Sequence, residues 1–239
     1  MQYFSYDAIA RTPLEKEPFE YVIVPNCMSA DALSKVGAEF PAVPGPGSHP
    51  PSELQIKGHF AALLQELEGA TFRNAVEKKF GLDLAQRPTM CTVRGFLQKK
   101  DGSIHTDSKT KIITVLLYLN EAWDAAGGRL RLLRSGTDLE DYVAELPPSN
   151  GTLLIFRRSD NSWHGHKPYE GPRRAIQFNV NGERCIRSHR NAARRERHAR
   201  SCAQRKRSRR RPGPARLGRL YRQRDCSHWR SRHGTLSGC

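Results

Sequence analysis

The stretch DGSIHTDSKTK, residues 101–111, puts His105 and Asp107 two positions apart. In an extended chain such residues point to the same side with Cα atoms roughly 7 Å apart, a spacing that suits two ligands of one metal ion. A His-x-Asp pair arises by chance in many chains, so its weight depends on a third ligand. SWHGHKPYEGPRR, residues 162–174, offers His164 and His166 shortly after the apolar segment GTLLIF (151–156). Two imidazoles and one carboxylate on one face of a metal leave about three of six positions open, the arrangement suited to Fe(II) and dioxygen chemistry. The residues alone leave both histidines open as the third ligand.

The same stretch ends on Arg173 and Arg174, which strand alternation separates. Arg173, Ala175, Gln177 and Asn179 form a polar face, and Arg174, Ile176, Phe178 and Val180 a mostly apolar one. The apolar set belongs against a core, so Arg173 is expected to face the lumen, where its planar fork can take a carboxylate in bidentate fashion. Arg174 is expected at the surface. Tyr118 ends the face Ile112, Thr114, Leu116, Tyr118. Arg94 and Trp163 are placed near the site only by their sequence neighbours, and His49 and His59 have no partner at metal spacing.

Several elements are needed to position these groups. FEYVIVP (19–25) reads as a strand and SADALSKVGAEF (29–40) as a helix capped by Ser29. The Pro/Gly-rich PAVPGPGSHPPSEL (41–54) reads as a loop without regular structure. HFAALLQELEG and TFRNAVEKKFG show helical spacing, each ending on a glycine where a C-terminal cap belongs. From Pro88 onward short β-rich segments follow, namely 89–98, 112–119, 128–133, 151–156 and 174–180, divided by turns such as KKDGS and PPSNG. Helices followed by five or more strands predict a mainly β fold in which N-terminal helices cover one face of a β-sandwich or jelly roll.

Charge divides the chain at the end of that domain. Residues 1–182 carry 21 Lys/Arg and 21 Asp/Glu, whereas residues 183–239 carry 19 Lys/Arg and 3 Asp/Glu. The net charge of +16 thus belongs to the tail, and the balanced domain has no need of a polyanionic ligand. Cys27 and Cys91 are too few and too far apart for a disulfide framework or metal knuckle, which suits a reduced, cytoplasmic protein. The longest apolar run, IITVLLYL (112–119), is far short of the ~20 residues of a membrane span, and no export signal is apparent. The tail contains 18 arginines, one lysine and four of the six cysteines. It reads as a disordered basic arm able to bind nucleic acid, if genuine, or as the product of a shifted reading frame.

From Met90 to about Val180 the chain resembles the 2-oxoglutarate- and Fe(II)-dependent dioxygenases and is most similar to their prolyl hydroxylase branch. The matching elements run in order: IHTD, VLLYLN with its tyrosine, the turn and strand AAGGRLRLL, the strand TLLIF, and the stretch from Ser162. In that family the distal histidine is commonly followed four residues later by proline and nine later by a basic residue that binds the co-substrate. His164 has Pro168 and Arg173 at those spacings, and His166 has neither.

The resemblance implies a double-stranded β-helix in residues 1–182 with His105, Asp107 and His164 as ligands of Fe(II). Arg173, with Tyr118, would hold the distal carboxylate of 2-oxoglutarate. Oxidative decarboxylation to succinate would be coupled to hydroxylation of an unactivated C–H bond by dioxygen, with L-ascorbate keeping the iron ferrous. The substrate would be a peptide, a prolyl residue being one candidate, or a small molecule. Two rival readings are a cupin-type metal protein or isomerase using His164 and His166 together, and a nucleic-acid-binding protein acting through its tail.

Overall fold

The computed structural model describes residues 1–182; the basic segment 183–239, and with it the reading of a disordered arm or altered frame, lies outside the described residues. Four helices, α1 (Tyr6–Arg11), α2 (Ala30–Ala38), α3 (Gly58–Glu68) and α4 (Ala70–Phe80), accompany eight strands. The strands are β1 (Tyr21–Val24), β2 (Thr89–Leu97), β3 (Lys111–Tyr118), β4 (Leu130–Leu133), β5 (Tyr142–Leu146), β6 (Leu153–Arg157), β7 (His164–Gly165) and β8 (Gly171–Asn181). They form a five-stranded sheet in the order β1-β6-β3-β8-β2 and a three-stranded sheet in the order β5-β4-β7, with antiparallel pairing throughout. Two such sheets with helices on one outer face make the predicted jelly roll.

Side-chain alternation in the large sheet builds two cores. Val93, Ile113, Val115, Leu117, Ile155, Ile176, Phe178 and Val180 join Phe60, Leu63, Phe72 and Val76 of α3 and α4 in the first. Phe72 meets Phe178 edge-on, with ring centroids 6.4 Å apart. The opposite faces of the same strands turn Tyr118, Leu154, Phe156 and Ala175 toward Leu130 and Leu132 of β4 in the second. This inner space holds the polar cavity. Truncating a fully buried leucine of the first core, such as Leu117, costs on the order of 2–5 kcal/mol.

Local signals explain most element ends. The Ser29 hydroxyl accepts from the Ala32 N–H at 3.2 Å and caps α2. Gly81 closes α4 in the left-handed conformation, φ 62°, as the helix ending requires. Gly69 also stands at the C-cap of α3, but not in the left-handed conformation. Its φ of −74° is extended, and it ends α3 while starting α4, so it is a corner between two helices. The Pro/Gly-rich loop also has more order than expected: it contains a 3-10 turn at Pro51–Glu53, and His49 pairs with Val93 through backbone hydrogen bonds of 3.0 and 2.8 Å. The loop therefore covers the outer edge of β2.

Candidate active site

Residues 98–110, between β2 and β3, carry the His-x-Asp pair. His105 lies outside the regular strands and forms an isolated antiparallel bridge with His164, with both backbone hydrogen bonds 3.0 Å long. That bridge ties the β2–β3 loop to β7 at the edge of the small sheet. Gly102 makes the approach possible: its φ is +93°, and a Cβ there would overlap the His166 ring. The β2–β3 loop thus packs its backbone directly against the second histidine of HGH.

One possible ligand atom from each of His105, Asp107 and His164 lies within 4.8 Å of the others. The rings of His105 and His164 have centroids 4.4 Å apart. Nδ1 of His105 lies 2.8 Å from the Ser103 carbonyl, and Nδ1 of His164 3.0 Å from the Ser162 carbonyl. A carbonyl can only accept, so each Nδ1 carries the proton and each Nε2 keeps its lone pair for a metal. Burial pushes the His164 pKa down to about 4, with the nearby His105 acting in the same direction and Asp107 opposing it. His164 is therefore neutral at physiological pH, as a ligand must be.

Asp107 is held from three sides. Lys111 Nζ donates to Oδ1 at 2.7 Å, Thr114 Oγ1 donates to Oδ2 at 2.5 Å, and Arg158 Nε donates to its backbone carbonyl at 3.1 Å. Burial alone would raise its carboxyl pKa, but the charge and hydrogen bond of Lys111 and the Thr114 hydroxyl hold it below the usual value. The Thr114 hydroxyl has a single hydrogen, so its 3.1 Å contact with the Asn179 amide is a proper bond only with the Asn179 NH2 turned toward it. That turn would also give a partner to Asn179 Nδ2, which is buried without one. Sequence reasoning did not assign Lys111, Thr114, Asn179 or Arg158 to the site. Strand alternation did place Asn179 on the lumen face and Thr114 on the same face as Tyr118, whereas neither Lys111, four residues beyond Asp107, nor Arg158 was marked.

The three clustered residues line a cavity of about 310 Å3 together with Arg94, Leu116, Tyr118, Leu130, His166, Arg173, Ala175 and Gln177. Arg173 is 5% exposed, whereas Arg174 lies at the surface with its guanidinium over Phe40. Arg173 Nε donates to the Gly128 carbonyl at 2.9 Å and Nη2 to the Tyr118 hydroxyl at 3.4 Å. Burial raises the Tyr118 pKa against the pull of Arg173, so its hydroxyl stays protonated.

Arg131, also 5% exposed, provides a contrast. It is paired with Glu145 at 2.7 Å and Glu140 at 2.9 Å, while Arg173 has no carboxylate partner among the described residues. A buried guanidinium facing a cavity without a counter-charge is a site for an anion. The donor set at one end fits a metal, and Arg173 with Tyr118 at the other fits a carboxylate.

His166 lines the cavity but is not part of the close cluster. Its Nδ1 donates to its neighbour's carbonyl, Lys167 O, at 2.9 Å. Trp163 turns away from His164 and packs against Gly136, so it does not line the cavity, whereas Arg94 does. His49 serves the loop through Gly45 O, and His59 meets Tyr3 Oη at 2.8 Å.

Residues 92–181 match the family model described as the 2OG-Fe(II) oxygenase superfamily. Among solved structures, a Pseudomonas putida prolyl-4-hydroxylase aligns with 74% of this chain and 92% of its own at 19% identity and TM-score 0.48. A prolyl 4-hydroxylase from Phytophthora capsici aligns with 77% of this chain and 67% of its own at 16% identity and TM-score 0.52, a likeness of fold. No curated protein matches the sequence.

Proposed function

We propose that this chain, whose residues 92–181 belong to the 2OG-Fe(II) oxygenase superfamily, binds Fe(II) through His105, Asp107 and His164 and uses 2-oxoglutarate to hydroxylate an unactivated C–H bond. The observation that carries this reading is the sharing of one cavity by that cluster and by a buried arginine that has no carboxylate partner among the described residues. Bound Fe(II) and 2-oxoglutarate would supply the oxidising chemistry: one atom of dioxygen enters succinate as CO2 is lost, and the other enters the substrate as hydroxyl.

The chain's own residues have distinct tasks in this scheme. The Ser103 and Ser162 carbonyls fix the two imidazoles so that both Nε2 atoms are available. Lys111 and Thr114 keep the Asp107 carboxylate ionised and oriented. Arg173 and the protonated Tyr118 hydroxyl hold the distal carboxylate of 2-oxoglutarate, which fixes the direction of its 2-oxo acid end. Leu116, Leu130 and Ala175 give the walls an apolar part that reduces water around the reacting groups. His105 lines the cavity and is exposed, so substrate would approach from its side.

We assign residues 1–182 as the catalytic domain and take a prolyl residue of a peptide as the first substrate to try, since the similar solved structures are prolyl hydroxylases. Among the described residues no helix is long and apolar enough to cross a membrane. Cys27 and Cys91 are buried free thiols, in keeping with a cytoplasmic setting, and L-ascorbate is proposed separately as the reductant that would keep the iron ferrous. The test is succinate formation from 2-oxoglutarate with added Fe(II), measured against a panel of prolyl peptides and small metabolites. Substrate-stimulated succinate supports the proposal, and zinc-supported turnover indifferent to iron refutes it.

A further inference from the structure

Arg94 of β2 is in register with Ala175 of β8, which is in register on its other side with Tyr118 of β3. These three residues form one row across the inner face of the sheet, and Arg173 is the next inward residue along β8. Ala175 is small and 3% exposed, so the longer side chains flanking it have room above it. All four residues line the same cavity.

The metal-facing row, Thr114 and Asn179, is four residues away along β3 and β8, roughly 13 Å of strand. The end of the cavity away from its ligand cluster therefore carries two guanidiniums and a phenol, with the Asp101 carboxylate on the lining acting on Arg94 without an ion-pair contact. No carboxylate among the described residues pairs with Arg94 or Arg173. Burial lowers the Arg94 pKa, with Asp101 opposing this and Arg173 adding to it, as expected for two cations within electrostatic reach.

The Arg94 side chain has a fixed orientation. Its Nε donates to Ser48 Oγ at 2.8 Å, and Ser48 precedes His49, which is anchored to Val93 by two backbone hydrogen bonds. The Pro/Gly-rich loop thus supplies a support for Arg94 and leaves its Nη groups for the cavity. A carboxylate has about four lone-pair positions and can accept from two guanidiniums at once.

On the reading that this cavity takes 2-oxoglutarate, we propose that Arg94 is a second arm of the clamp on its distal carboxylate, acting beside Arg173 and Tyr118. Arg94 thereby selects a 2-oxo diacid over a 2-oxo monoacid of the same length.

The experiment measures equilibrium binding of 2-oxoglutarate and of 2-oxovalerate, which has a methyl group in place of the distal carboxylate, to the full-length Mn(II)-loaded protein by calorimetry. Arg94→Gln should weaken 2-oxoglutarate binding roughly 10- to 100-fold and leave 2-oxovalerate binding unchanged. Arg94→Lys, which keeps the charge and loses the fork, should fall between wild type and Arg94→Gln. Ser48→Ala, a change at an exposed position that removes only the support, should lower the diacid preference about threefold even where Arg94→Gln fails to fold. Equal weakening of both acids, or an unchanged preference in every folded variant, overturns the role of Arg94. Wild-type protein that binds Mn(II) but neither acid overturns the reading of the cavity itself, an outcome distinct from the first.

Discussion

Replacing Arg173 by glutamine should raise the dissociation constant for 2-oxoglutarate by at least about 30-fold, while Arg174→Gln should change it less than about threefold. The two residues are adjacent, yet Arg173 is 5% exposed and lines the cavity, whereas Arg174 lies at the surface over Phe40 with a 3.3 Å contact to Gly37 O. Truncating one member of a buried, hydrogen-bonded charge pair costs roughly 2–5 kcal/mol, and the lower figure already corresponds to about 30-fold. An exposed contact of the kind Arg174 makes is worth roughly 0.5–1 kcal/mol, and it acts on stability, not on the ligand. The assay is calorimetric titration of Mn(II)-loaded protein with 2-oxoglutarate, controlled by Mn(II) affinity without co-substrate, which neither change should alter because neither residue is a proposed ligand. If Arg174 is the sensitive position, or if both variants bind as wild type does, the assignment of the inner face of β8 to the co-substrate is wrong.

His164→Ala should abolish high-affinity Fe(II) binding and His166→Ala should leave most of it, measured by equilibrium dialysis; equal losses would favour the paired-histidine reading. Fe(II) should restore 2-oxoglutarate turnover to metal-stripped protein, and Zn(II) should bind and inhibit, since zinc favours four-coordinate sites. In the metal-free protein His164 titrates near pH 4 when folded and near 6.5 when unfolded. The unfolded state therefore binds more protons between these values, so stability should be highest above pH 6.5 and fall by up to about 3 kcal/mol toward pH 4. Urea midpoints across that range would measure this loss, and a flat profile would contradict it.

The parts of the fold visible in the sequence were those with a local physical signature. Alternation along β8 separated Arg173 from Arg174 because Ile176, Phe178 and Val180 need an apolar core and the intervening residues do not. The hydroxyl of Ser29 and the left-handed Gly81 marked helix ends through their own chemistry. Gly69 ends α3 as expected, but its second task as the corner that starts α4 has no signal of its own, because a helix stop and a corner between helices both accept glycine. The short helix α1 had too few residues for a period to emerge, β5 buries only Leu146 of its five residues and so carries little apolar pattern, and the two-residue β7 exists only through its pairing with β4 and its bridge to His105. At the site, residue types and order pointed to the three clustered side chains. The supports of Asp107 were not legible: Arg158 reaches it from a position that only the tertiary structure defines, and Lys111, though just four residues on, meets it through a turn that the sequence does not mark. The same holds for Ser48, which meets Arg94 because a loop is pinned to the edge of β2.

A crystal structure of the protein grown anaerobically with Fe(II) and 2-oxoglutarate, with the iron located by anomalous scattering, would decide the ligand set and the direction of the co-substrate. The predicted result is one iron bound by His105 Nε2, Asp107 and His164 Nε2, with the distal carboxylate of 2-oxoglutarate against Arg173 and Tyr118. An iron bound through His166, or a 2-oxoglutarate whose distal carboxylate lies away from Arg173, would contradict it.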